Sequence, residues 1–223
     1  MKRFLCLVLA ALALGLPVRA AAPLTPPERA ELLGRLQALH EKHPSFQANF
    51  SEERNSRLLK KPLSSSGHIA FQLPNKFRRE LTGSNPSLTI SNGRELWLYY
   101  PNFKEAEQYT LGKKAIFDDA LAALTAGLNF SRVEEFYELA ITPSDDGGYS
   151  ILLTPKRGNL KRIVAQLTVV LGKDLDIRRT ELTLPKGDLV VTTYTATKRD
   201  PLPASTFEFT PPEGANITRP LGK

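Results

Sequence analysis

Cysteine occurs once in these 223 residues, at Cys6. Everything after it is therefore without disulfides, thiol nucleophiles or cysteine-held metal. Histidine is nearly as scarce, with only His40, His43 and His68. The sequence contains no G-x-S-x-G, no H-E-x-x-H and no glycine-rich phosphate loop. No apolar run reaches the ~20 residues that span a bilayer; the run from Phe4 to Leu16 stops at Pro17. Strong charge of one sign is missing too, with 30 Lys and Arg against 23 Asp and Glu. The basic pairs Lys60-Lys61, Arg78-Arg79, Lys113-Lys114, Lys161-Arg162 and Arg178-Arg179 are scattered among acids. Nucleic-acid binders gather such charge on one face, so no nucleic-acid partner is expected.

The remaining polar candidates for chemistry read as structure. His40 and His43 sit near a helix end, where a cation favours the dipole, and a metal would need further ligands. His68 faces away from the apolar side of its strand. Asp118-Asp119 and Asp145-Asp146 are adjacent pairs, which do not converge on one substrate atom. We expect no catalytic residue, no metal and no cofactor, and hence no enzyme.

The N-terminus has the order of a secretory signal: Lys2 and Arg3, the apolar run, then Val18-Arg19-Ala20 with small or tolerated residues before a cut. We place cleavage after Ala20, because a cut after Ala22 would set Pro23 against the scissile bond. Residues 1–20 then form a signal peptide and 21–223 a single domain. Removing Lys2, Arg3 and Arg19 takes the net charge from +7 to +4. Such a signal implies export from the cytoplasm.

Thr25-Pro26-Pro27-Glu28 opens the mature chain as a capping box with proline at the first helical position. Leu32, Leu36 and Leu39 follow at helical spacing, and Pro44 ends the helix. From Ser45 the period is two. Phe46, Ala48 and Phe50 share one side; Ile69, Phe71 and Leu73 share a face; so do Phe77, Arg79 and Leu81, and then Leu88 and Ile90. Pro74-Asn75 and Asn92-Gly93 are turn signals. The stretch from Leu96 to Tyr100 is apolar on both faces, so its inward parity stays open. Glu105 to Leu111 resumes as a strand. Ala115 to Ala126 predicts a short amphipathic helix carrying Ile116, Phe117, Leu121 and Leu124. Phe130 to Ile141 is ambiguous between helical turn and strand. Strands then follow at 149–154, 162–171, 177–184, 188–198 and 206–210, a meander of roughly ten in all.

These segments, in order, resemble the LolA family of periplasmic outer-membrane lipoprotein carriers. The resemblance is carried by Phe46 to Phe50 (F-Q-x-x-F), Gly67 to Phe77 (GHIAF-x-x-P-N-x-F), Ser91 to Pro101 (SNG-x-x-LW-x-Y-x-P) and Phe207 to Ile217 (F-x-F-x-PP-x-G-x-x-I). It implies an incomplete antiparallel β-barrel, a half-barrel, mainly β with helices, and an α-helical lid over an apolar cavity. It implies an acylated lipoprotein as cargo, received from an inner-membrane lipoprotein-releasing transporter and passed to an outer-membrane acceptor by a monomeric carrier. On that reading the lipid-binding wall comprises Phe46, Phe50, Ile69, Phe71, Leu73, Phe77, Leu81, Leu88, Ile90 and Trp97. The lid comprises Leu32, Leu36, Leu39, Ile116, Phe117, Leu121 and Leu124.

Two positions depart from the family's pattern. An arginine that precedes the proline in the best-known members, and that latches the lid, is Leu73 here. An aromatic residue two places after the phenylalanine is Arg79. The stretch Leu58 to Gly67 is similar to LolA-like proteins of other lipid export systems. A glycolipid or polyene-lipid cargo is therefore the alternative, and a periplasmic lipid-sensing adaptor a further one.

Overall fold

In the computed structural model, residues 22–112, 125, 130 and 133–220 are described. The expected signal peptide and the expected helix with Ile116, Phe117, Leu121 and Leu124 lie outside them.

The first helix, α1 (Pro26–Lys42), begins where the capping box places it. The Glu28 carboxylate accepts hydrogen bonds from the Thr25 backbone N–H at 2.7 Å and from its hydroxyl at 2.6 Å. Leu32 and Leu36 are its buried residues, the i, i+4 pair that a one-sided helix turns to a core.

Twelve strands make one sheet among the described residues: β1 (Ser45–Asn55), β2 (Leu63–Gln72), β3 (Lys76–Thr82), β4 (Ser87–Ser91), β5 (Glu95–Tyr100), β6 (Glu105–Thr110), β7 (Tyr137–Pro143), β8 (Tyr149–Pro155), β9 (Gln166–Leu171), β10 (Ile177–Thr183), β11 (Leu189–Lys198) and β12 (Asn216–Thr218). Their order is β12-β6-β5-β4-β3-β2-β1-β11-β10-β9-β8-β7. All pairs are antiparallel except β12 on β6. The sheet does not close, since β7 and β12 are its two ends. It curls enough for Phe46, Ile69 and Phe77 to share one core with Tyr137, Ile141 and Ile151. Short helices precede β7 (α2, Val133–Phe136) and β9 (α3, Gly158–Lys161).

Two strand expectations need correction. The stretch from Arg162 begins with a turn rather than a strand, because Leu160 and Val164 are drawn into the core and β9 starts only at Gln166. The expected strand from Thr206 to Thr210 is a 3-10 turn over Ala204–Phe207. Pro201, Pro203, Pro211 and Pro212 surround it, and each lacks the N–H that a ladder requires.

Glycine is required at two points. A Cβ on Gly67 would lie 1.8 Å from the Glu80 carbonyl oxygen, so β2 and β3 can approach there only without a side chain. Gly93 has φ +90° in the turn between β4 and β5. In that turn the Asn92 side-chain oxygen accepts from the N–H groups of Arg94 and Glu95.

Candidate functional site: the inner face of the sheet

Register decides which side chains meet. Phe46 is opposite Phe71, which is opposite Phe77, so three phenylalanines cross β1, β2 and β3 in a row. Phe50 is opposite Gly67 and Leu81 is on Gly67's other side; the missing side chain gives the Phe50 ring its room. Further along the curl, Ile141, Ile151 and Val169 form an apolar row across β7, β8 and β9. Helix α1 lies across this face. The Leu24 N–H donates to the Ile141 carbonyl at the helix's entry, and Arg35 donates to the Tyr149 hydroxyl. Leu32 and Leu36 belong to the same core as the sheet's inner side chains.

The structure brings together most of the expected wall. Phe46, Phe50, Ile69, Phe71 and Phe77 are buried in the inner core, and Leu73 and Leu81 pack against it half-buried. Of the expected lid residues, Leu32, Leu36 and Leu39 reach the same core. Ile116, Phe117, Leu121 and Leu124 fall outside the described residues.

Leu88, Ile90 and Trp97 do not line this face. In the β3–β4 hairpin Phe77 is opposite Ser91 and Arg79 opposite Thr89, which sets Leu88 across from Glu80 and Ile90 across from Arg78. A one-residue change of register moves every side chain of a strand to the other face. Ile90 is then opposite Trp97, and Leu88 opposite Tyr99. Together with Ala106 they form a second core on the outer face. Phe209 covers it, its ring 5.7 Å from Trp97 and 5.4 Å from Tyr99. The same register resolves the parity left open for β5: Leu96, Leu98 and Tyr100 take the inner face.

Other residues of this face were not expected. The wall from β7 to β9 is not legible in the sequence, because Leu152, Leu153 and Val169, Val170 blur the alternation there. Phe130 and Val133, in the segment between β6 and β7, are also buried in the inner core. Polar groups share the face. Arg79 pairs with Glu52 at 2.5 Å and lies 4.6 Å over the Phe50 ring, and the Thr192 hydroxyl donates to the same carboxylate. On β6, burial and a hydrogen bond to Glu107 push the Tyr109 phenol up from its ordinary range, so it stays a donor.

At one end of the hollow stand His40, Phe46, Phe71, Leu73, Leu175 and Arg199, and the space they leave is a cavity of about 20 Å³, enough for about one water molecule. His40 is not the cation expected at a helix end. Burial, helped by the Arg199 charge, lowers its pKa to about 4. Arg199 is held by Asp176 at 2.5 Å. Among the described residues no three His, Cys, Asp or Glu side chains gather to hold a metal ion.

An open antiparallel sheet, curled round an apolar inner face with a helix laid over it, defines the class of β half-barrels. The profile of the family described as outer membrane lipoprotein carrier protein LolA matches residues 41–210. The chain belongs to the LolA family. It is 33% identical over 175 residues to an outer-membrane lipoprotein carrier protein of Dechloromonas aromatica, covering 78% of this chain and 80% of that one. A protein of the same description from Pseudoalteromonas translucida is 31% identical over 176 residues, covering 78% and 80%. Among solved structures, an uncharacterised conserved protein of Thermus thermophilus superposes with a TM-score of 0.53 at 13% identity, over 86% of this chain and 99% of that one; this likeness bears on the fold alone.

Proposed function

We propose that this chain is a periplasmic carrier that shelters the acyl chains of lipoproteins on the inner face of its sheet, and that it catalyses no reaction. It takes them from an inner-membrane transporter and yields them to an outer-membrane acceptor, working as a monomer after residues 1–20 are removed. The observation that carries this reading is the way α1 plugs the hollow. Leu32 and Leu36 are 2% and 1% exposed against the inner face, and among the described residues the cavity beside Leu36 has about 20 Å³. α1 therefore covers part of the apolar face with its own leucines.

Release follows from the same balance. Burying an acyl chain gains about 0.8 kcal/mol per methylene. Displacing two buried leucines costs about 1.5–3 kcal/mol each. A long chain thus wins the face, and the helix subtracts several kcal/mol from its hold. That keeps the cargo transferable.

The test is mass spectrometry of the protein purified from its native periplasm, with and without Leu81→Asn and Leu182→Asn, two half-buried inner-face changes. The expected result is co-purified triacylated lipoprotein that both substitutions deplete. Recovery of a glycolipid or polyene lipid instead would reassign the cargo. Lipoprotein retained equally by both variants would sink the inner-face site.

A further inference from the structure

Strand directions bring the connections 56–62, 156–165 and 184–188 to one edge of the sheet. They carry eight lysines and arginines, all exposed, Lys60, Lys61 and Lys186 among them. Their one acid, Asp188, is taken by Arg54 at 2.7 Å. At the opposite edge, the turns 144–148 and 172–176 carry four acids, Asp145, Asp146, Asp174 and Asp176, and one cation, Lys173. Two of these acids are paired there, Asp174 with Arg178 and Asp176 with Arg199, and Glu134 and Glu135 of α2 stand beside Lys156 at the first edge, so the unpaired excess of cations is concentrated in the connections 56–62 and 184–188.

The β1–β2 tip on the basic edge is also apolar. Leu58 is 94% exposed, Leu63 56% and Leu59 39%. A single exposed leucine is ordinary, but three within six residues, flanked by lysines, form a patch of the kind that marks a partner or membrane surface. Cations on these two loops beside an apolar tip match an extended anionic plane. Binding to such an interface grows with the apolar area buried and with attraction to anionic lipid.

We propose that this edge docks on an anionic phospholipid bilayer, with Leu58 and Leu59 in the interface and the lysines of these loops on the headgroups. The proposal needs no cargo on the inner face, so its failure would leave the carrier reading standing.

The probe is a Leu58→Cys variant, purified after export with its N-terminus checked by mass spectrometry, and labelled with an environment-sensitive dye. Cys6 is the only native cysteine, so labelling of the processed chain is site-specific. An Asp145→Cys variant serves as control on the opposite edge. Vesicles are phosphatidylcholine alone or with about a third phosphatidylglycerol. The dye at 58 should shift to the blue on anionic vesicles only, and the dye at 145 should not. Binding should weaken with salt. It should fall about tenfold in Leu58→Ser/Leu59→Ser and again in Lys60→Gln/Lys61→Gln, with Tm unchanged. No binding by the intact chain to either kind of vesicle would overturn the proposal. Equal binding to neutral vesicles, or a shift at 145 alone, would overturn it as well.

Discussion

Arg79 and Glu52 form an ion pair on the inner face, Nη2 to Oε2 2.5 Å, with the guanidinium 4.6 Å over the Phe50 ring. Arg79 stands where the family's pattern has an aromatic residue, and its guanidinium covers the Phe50 ring. Glu52 neutralises it from β1, and Thr192 on β11 completes the set. The pair, with Thr192, ties β3, β1 and β11 together.

Breaking such a pair from one side leaves a charge without its partner. Both side chains keep about a fifth of their surface, 21% and 18%, so the loss is smaller than for a fully buried pair. Arg79→Met and Glu52→Gln should each cost about 1–3 kcal/mol. The double variant should cost less than the sum. Urea denaturation of all four proteins checks this; strict additivity would mean that the pair is not coupled.

The only tryptophan lies on the outer face, under Phe209. Phe209→Ala should shift Trp97 emission to the red and cost about 1–3 kcal/mol, from lost burial and lost ring contact. Acyl-ligand binding should stay within error of wild type. A fall in ligand binding would show that the outer core communicates with the hollow.

Gly67→Ala should destabilise by about 1–3 kcal/mol, because β2 and β3 must separate to admit the methyl group. Thermal unfolding of this variant beside Gly34→Ala, an exposed helix position where a Cβ meets nothing, gives the contrast. Gly34→Ala should be neutral or stabilising.

His40 makes stability depend on pH in a defined window. Its folded pKa is about 4 against an ordinary 6.5, so the unfolded chain takes the proton first. The contribution is complete above pH 6.5 and is lost as pH falls towards 4, up to roughly 3 kcal/mol. Glu28, Asp146 and Asp188, whose pKa values are held low by hydrogen bonds, lose theirs at the acid end of this range. The difference between wild type and His40→Gln therefore isolates the histidine. Denaturation at intervals from pH 7 to pH 4, with the two curves staying parallel, would refute the assignment.

Local chemistry made much of this fold legible. The capping box at Thr25 and Glu28, the period-two runs of β1 to β3 and the Asn92-Gly93 turn each depend on neighbours a few residues away. Their readings match the elements formed. The expected strand at Thr206–Thr210 does not form, because the prolines on both sides lack ladder donors and outweigh the alternation of Phe207 and Phe209.

Alternation within a strand says that Leu88 and Ile90 share a face; it carries no information about which face. That choice belongs to pairing. The turn at 83–86 sets Ser91 against Phe77, and the leucine and isoleucine then fall outside, under a phenylalanine 119 residues beyond Ile90. The ion pair of Arg79 with Glu52 depends on β1 and β3 flanking the same strand, and the basic edge on loops brought together from three parts of the chain. Most of the elements and the family are legible in the sequence, because those depend on local spacing and order. Only the tertiary structure decided the inner face, its polar pair and the charged edge, because these arise where distant strands meet in one register.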